Sequence, residues 1–77
     1  MQDKYKTKDL GEAAALICKT SELLGLQKDG KVVWFIFSNP ASCKAISNKY
    51  FFGELLVNAR DYNESLKLLK NRIFAKE

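Results

Sequence analysis

The chain has 77 residues, of which 47% are hydrophobic and 29% charged, with a formal net charge of +4. That length suits one domain of modest stability, on the order of 5 kcal/mol, and the composition is globular rather than disordered or low in complexity. There is no histidine, and the two cysteines, Cys18 and Cys43, stand outside any CxxC spacing; the commonest general base near neutral pH is missing, and the thiols supply at most half of a tetrahedral zinc shell.

In chain order, residues 1–6 are polar and read as a flexible arm. Thr7 can cap a helix, with Asp9 and Glu12 placing negative charge near its N-terminus. Leu10, Ala13, Ala14, Ile17 and Cys18 follow helical spacing, which predicts a helix over 8–19. Gly11, Ala14, Ala15 and Cys18 make one side of it small enough for close packing. Thr20-Ser21 breaks it. A first strand is expected over 22–27, where Gly25 hints at a bulge. Asp29-Gly30 then signals a tight hairpin turn into a strand over 31–38.

Asn39-Pro40 is a helix-start signal, with Asn as cap and Pro at the first helical position. Cys43, Ile46 and Tyr50 recur at helical spacing, and Gly53 is a left-handed stop. Leu55 and Val57 alternate in a segment expected to be a short third strand over 54–57. Asn58 can cap a last helix over 59–74, whose Tyr62, Leu66, Leu69 and Ile73 form its core stripe. The expected order is α-β-β-α-β-α: a single α+β domain, 1–77, with a small, mostly antiparallel sheet (a β-hairpin plus a short third strand) packed by three helices.

The strand over 31–38 is apolar on both faces. Val33, Phe35 and Phe37 point one way, and Val32, Trp34 and Ile36 the other. A half-exposed antiparallel strand would alternate with polar residues. Three covers fit the second face: the chain's own helices or termini, a second copy with Trp34 at the centre of a homodimer interface, or nucleic-acid bases stacked on an aromatic platform.

Tyr5-Lys6-Thr7-Lys8-Asp9-Leu10 leads into Ala13-Ala14-Ala15-Leu16. Phe35-Ile36-Phe37, Tyr50-Phe51-Phe52-Gly53, Val57, Leu66-Lys67-Leu68-Leu69-Lys70 and Ile73 follow. Together these pieces, spread over nearly the whole chain, resemble a family of small bacterial and phage proteins known as a domain of unknown function. The resemblance implies no activity and carries no functional residue across. It implies a bacterial or phage-related setting, in which small nucleic-acid-handling and regulatory proteins are common.

No nucleophile elbow, phosphate-binding glycine loop or paired-carboxylate motif occurs, and the four glycines sit at structural punctuation. The chain is therefore expected not to be an enzyme, and no catalytic, cofactor or metal residue is assigned. The cysteines are expected to be reduced and mostly buried, with a disulfide or redox pair as the alternative. No apolar run approaches the roughly 18 residues that span a bilayer, and no signal-peptide pattern stands at the N-terminus, so a cytoplasmic location and no membrane partner are expected.

What remains is binding. Arg60, Asn63, Lys67, Lys70 and Phe74 line up beside the apolar stripe of the last helix. They suit phosphate contact, hydrogen bonding and base stacking, or equally a solvated helical face. Lys4, Lys6 and Lys8 form a basic cluster that suits a phosphate-binding arm or a solvated tail. The reading is a non-enzymatic binding module, leaning towards nucleic acid, with Lys8, Arg60, Asn63, Lys67, Lys70 and Phe74 as candidate contacts. Trp34, Val32 and Ile36 are the candidate homodimer interface. The alternative is a protein-protein adaptor or inhibitor working through the Trp34 face or the Tyr50-Phe51-Phe52 cluster. No small-molecule substrate is expected.

Overall fold

Local turn chemistry sets the frame. In the computed structural model, which describes residues 4–19 and 21–76, the hairpin strands are β2 (Leu23–Asp29) and β3 (Val32–Ser38). Gly30 and Lys31 join them, and of this pair Gly30 alone takes positive φ, at 63°. Positive φ at the first turn position only is the II′ arrangement, whose twist matches the strands. Asp29 pairs with Val32, Gln27 with Trp34 and Leu26 with Phe35, until the register slips between Leu23 and Gly25. The bulge expected at Gly25 is there, with Leu24 as its unpaired residue.

The α+β class, the three helices and the three-stranded antiparallel sheet match the expectation. The short third strand, however, lies at the N-terminus. β1 (Lys4–Thr7) pairs antiparallel with β3, giving the order β1-β3-β2, so the segment expected to be a flexible arm is an edge strand from Lys4 onwards. Residues 1–3 of that expected arm, and Thr20 of the helix break, lie outside the described residues. Residues 54–57 form no ladder. They keep a strand-like alternation, with Leu55 and Val57 half-buried and Glu54 and Leu56 exposed, but β1 and β2 already flank the central strand, and no partner lies alongside.

Helix α1 (Leu10–Cys18) begins later than expected because Asp9, not Thr7, is its cap: the Asp9 carboxylate accepts the Glu12 backbone N–H at 2.9 Å. Helix α2 (Pro40–Phe51) is capped by Asn39, which sits at φ 55° and accepts from the Ser42 N–H at 3.3 Å. Asn tolerates that left-handed conformation better than most residues. At the far end of α2, Gly53 at φ 73° donates to the Tyr50 carbonyl and Glu54 to the Lys49 carbonyl, a Schellman closure. Asn58 caps helix α3 (Ala59–Lys76), accepting from the Arg60 and Asp61 N–H groups at 3.0 and 3.1 Å.

The core forms between one sheet face and the helices. Phe35 and Phe37 of β3 are buried with Ala13, Ala14 and Leu16 of α1, Cys43 of α2 and Leu69 of α3. Five successive residues of α1, Glu12 to Leu16, are buried, so this helix is enclosed around its whole circumference. Its small residues permit that. A Cβ added at Gly11 would overlap the Tyr50 hydroxyl, and the Tyr62 hydroxyl lies within 3.1 Å of the same point. The tyrosines of α2 and α3 thus close over the start of α1 where only glycine leaves room.

Phe35→Ala and Leu69→Ala each remove a large, fully enclosed side chain. Each is expected to cost about 2–5 kcal/mol in chemical denaturation, enough to unfold much of so small a domain. Wild-type midpoints in both variants would contradict this core.

Candidate functional site

β1 pairs with β3 along all four of its residues, and a buried carboxyl ties it further to the helices. Glu12 is 3% exposed, and it sits beneath β1, where it accepts the Tyr5 hydroxyl at 2.5 Å and the Thr7 hydroxyl at 2.6 Å. The Thr7 oxygen also accepts the Asp9 N–H at 3.1 Å, and the Tyr5 oxygen lies 3.1 Å from the Ser47 hydroxyl of α2. With the Tyr5 proton committed to Glu12, Ser47 is the donor in that last pair. β1 is thereby tied to α1 and α2 at once, through polar atoms that would be costly to leave unpaired.

Alternation along the strand does the rest. Tyr5 and Thr7 point inward, paired with Phe37 and Phe35, so Lys4 and Lys6, paired with Ser38 and Ile36, point to the other face. Val32, Trp34 and Ile36 lie on this face. Among the described residues, none of the three packs against the core cluster. Of the covers expected for this face, the chain's own N-terminal segment supplies part, through Lys6 and Lys8 beside Trp34. Val32 is 36% exposed, and Trp34 and Ile36 are half-buried. The ammonium groups of Lys6 and Lys8 each stand 5.9 Å from the Trp34 ring centroid, at the outer reach of a cation–π contact. Gln27 pairs with Trp34 from the opposite strand. The face thus carries an indole flanked by two lysines on one side and a primary amide on the other, with Lys4 further along the β1 edge.

The candidate residues of α3 form a separate row. Arg60, Asn63, Lys67, Lys70 and Phe74 are all exposed, and Arg60 meets Glu64 at 3.9 Å on the helix surface. They belong to the helical layer, so Lys8 parts company with them and joins Trp34. Residues that the contact candidates left out are Gln27 and Glu12, together with the placement of Lys4 and Lys6 on the Trp34 face. The alternation of Lys4-Tyr5-Lys6-Thr7 was their available signal. Cys43 is buried, and its thiol donates to the Ser38 carbonyl at 3.3 Å; Cys18 is half-buried, 3.7 Å from the Ser65 hydroxyl, and both are free thiols. Burial pushes the Cys43 thiol up from its ordinary value. Among the described residues no group of three or more His, Cys, Asp or Glu could hold a metal ion, and no helix is long and apolar enough to cross a membrane.

Two predictions follow from this geometry. Burial, reinforced by the Glu12 carboxyl, raises the Tyr5 hydroxyl above its ordinary 10.0. Burial, reinforced by Asp9, raises that of Tyr50. Both hold their protons more tightly folded than unfolded, so their stabilisation is complete below pH 10 and is lost as the pH climbs through the raised values. Thermal melts beyond pH 10 are expected to fall as tyrosinate absorbance rises. Tyr5→Phe is expected to be about 1–3 kcal/mol less stable at neutral pH yet to lose less in alkali; an equal alkaline loss would exclude Tyr5 as a source. Trp34 is the single tryptophan, so its emission reports on the open face. Iodide is expected to quench it more strongly than caesium, because Lys6 and Lys8 draw anions, and Lys6→Glu with Lys8→Glu is expected to reverse that order. Equal quenching by both ions would mean the lysines do not stand at the indole.

No family model, curated protein or solved structure matches the chain, and the chemistry of this face carries the functional reading.

Proposed function

We propose that the chain is a non-enzymatic binding module whose open sheet face takes single-stranded nucleic acid. The observation that carries this reading is the placement of Lys6 and Lys8 over Trp34 on the sheet face turned away from the core. A base stacked on the indole displaces the lysines towards the flanking phosphates, so one arrangement supplies both the stacking surface and the charge. Base–aromatic stacking contributes about 1–3 kcal/mol per base and tolerates any sequence. Gln27 offers a donor and an acceptor to a base edge beside the ring. A duplex, whose bases are already stacked, presents no free π-face to Trp34.

The apolar strip of Val32, Trp34 and Ile36, of which Val32 is exposed and the others half-buried, favours a second reading, a homodimer closed over the same face. Trp34 fluorescence titrated with mixed-sequence DNA and RNA oligonucleotides at low salt, alongside sedimentation velocity, separates the two. Binding is expected with a log–log salt slope of about −2, as three phosphate contacts from Lys4, Lys6 and Lys8 would give on a single strand. It is expected to be lost in Lys6→Glu with Lys8→Glu and largely kept in Lys67→Glu with Lys70→Glu. Loss in the second pair alone would move the interface to α3. No binding to any oligonucleotide, with a dimer that Trp34→Lys dissociates, would replace the nucleic-acid reading with the homodimer.

A further inference from the structure

Helix α3 is longer than its support. Its 18 residues span about 27 Å, whereas the 9 residues of α1, its main neighbour, span about 14 Å. Tyr62, Leu66, Leu69 and Ile73 pack on the core. A second strip runs beside them: Asp61, Glu64, Leu68, Asn71, Arg72 and Ala75, every one exposed. The last five of these, with Lys67, line an open groove to which, among the described residues, only α3 contributes side chains. Leu68 stands at the middle of the strip and is 45% exposed. Most helical stability in proteins comes from packing rather than propensity, so a leucine presented between charges on such a helix points to a covering element.

The order of the charges selects that element. Asp61 and Glu64 precede Leu68, and Arg72 follows it as far on as Glu64 stands before it. Lay a second α3 antiparallel, with both Leu68 side chains on the two-fold axis, and positions equidistant from Leu68 face each other. Glu64 then stands opposite the partner's Arg72, and Arg72 opposite the partner's Glu64, about 6 Å to either side of the axis. Asp61 reaches the same guanidinium from one turn further out, and the partner's Ala75 leaves room there. A parallel pairing would set each charge against its own kind. The strip is therefore complementary to itself in one orientation. Arg60 already meets Glu64 at 3.9 Å, but so exposed a pair contributes little and leaves Glu64 able to take a second cation. Lys67 lies about a quarter-turn from Leu68, at the border of the strip, where its ammonium stays in solvent. We infer that α3 pairs antiparallel with α3 of a second copy of the chain, centred on Leu68 and held in register by two reciprocal Glu64–Arg72 pairs. The contact excludes Trp34 and does not depend on nucleic-acid binding.

The test is sedimentation equilibrium of the full chain from micromolar to millimolar concentration, the upper range being needed because one helix pair makes a small interface. The wild type is expected to dimerise, and Leu68→Lys to abolish the dimer. Glu64→Arg and Arg72→Glu each set two like-charge pairs in the dimer and are expected to weaken it about tenfold or more. An equimolar mixture of those two variants is expected to associate again as a heterodimer, because every cross-pair in it is then of opposite sign. Trp34→Lys is expected to leave the dimer intact. All these positions of α3 are exposed, and unchanged circular dichroism would confirm that the variants fold. A wild type that stays monomeric at millimolar concentration would overturn the inference. So would a mixture that associates no better than its components, or a dimer that Trp34→Lys dissociates and Leu68→Lys does not.

Discussion

The arrangement turns on one buried carboxyl. Glu12 lies beneath β1 and accepts from Tyr5 and Thr7, adding a buried polar tie to the four-residue ladder with β3. The bonds reach further than the strand. Through the Thr7 oxygen they extend to the start of α1, and through Ser47 to α2. Because strand residues alternate between faces, fixing Tyr5 and Thr7 inward fixes Lys4 and Lys6 outward. A polar anchor on one side of the sheet therefore sets the charge on the other.

The molecule is flat, with extents of 34 × 33 × 18 Å, and its core lies on one face of the sheet. Among the described residues, the second sheet face contributes none of its side chains to the core cluster. In a larger domain another layer of helices would cover Val32, Trp34 and Ile36. Here the apolar strip is bordered by lysines on the β1 side and by Gln27 on the β2 side. Such a border keeps an aromatic surface hydrated at its rim while leaving the ring within reach of a ligand. The helical layer presents different chemistry. Its exposed aromatics, Phe51 and Phe52, sit at the capped end of α2 beside the exposed Lys49.

Features written in adjacent residues were legible before any coordinates. Asp29-Gly30, Asn39-Pro40, Gly53 and Asn58 each act within a few residues, and each does what its chemistry requires. The two-faced character of β3 was legible for the same reason. The third strand was not. Lys4-Tyr5-Lys6-Thr7 is polar and brief, and its order comes from Glu12 and Ser47, the second of them 42 positions from Tyr5. Read locally, Glu12 is only a favourable charge near a helix start. Residues 54–57 misled in the opposite direction, since their alternation is real but ladder pairing depends on what lies alongside. The site was legible in part: Trp34 stood out as the centre of the second face, whereas the lysines beside it were assigned to an arm, and only the docking of that arm brings them together.

Residues 32–37, Val-Val-Trp-Phe-Ile-Phe, are six consecutive β-prone residues with neither proline nor charge, a composition that stacks readily into amyloid. In the folded chain β2 pairs along one flank of this hexapeptide, and β1 pairs along the other at Phe35, Ile36 and Phe37. The β2 border is interrupted by the bulge at Leu24, and the β1 border is short and bears lysines, so neither offers a clean template for a neighbouring molecule. A chain whose first strand lifts away keeps most of its body but bares the flank of its most fibril-prone segment. The Glu12 anchor is thus also a safeguard on solubility, and partial opening at the N-terminus is more hazardous to this protein than fraying elsewhere.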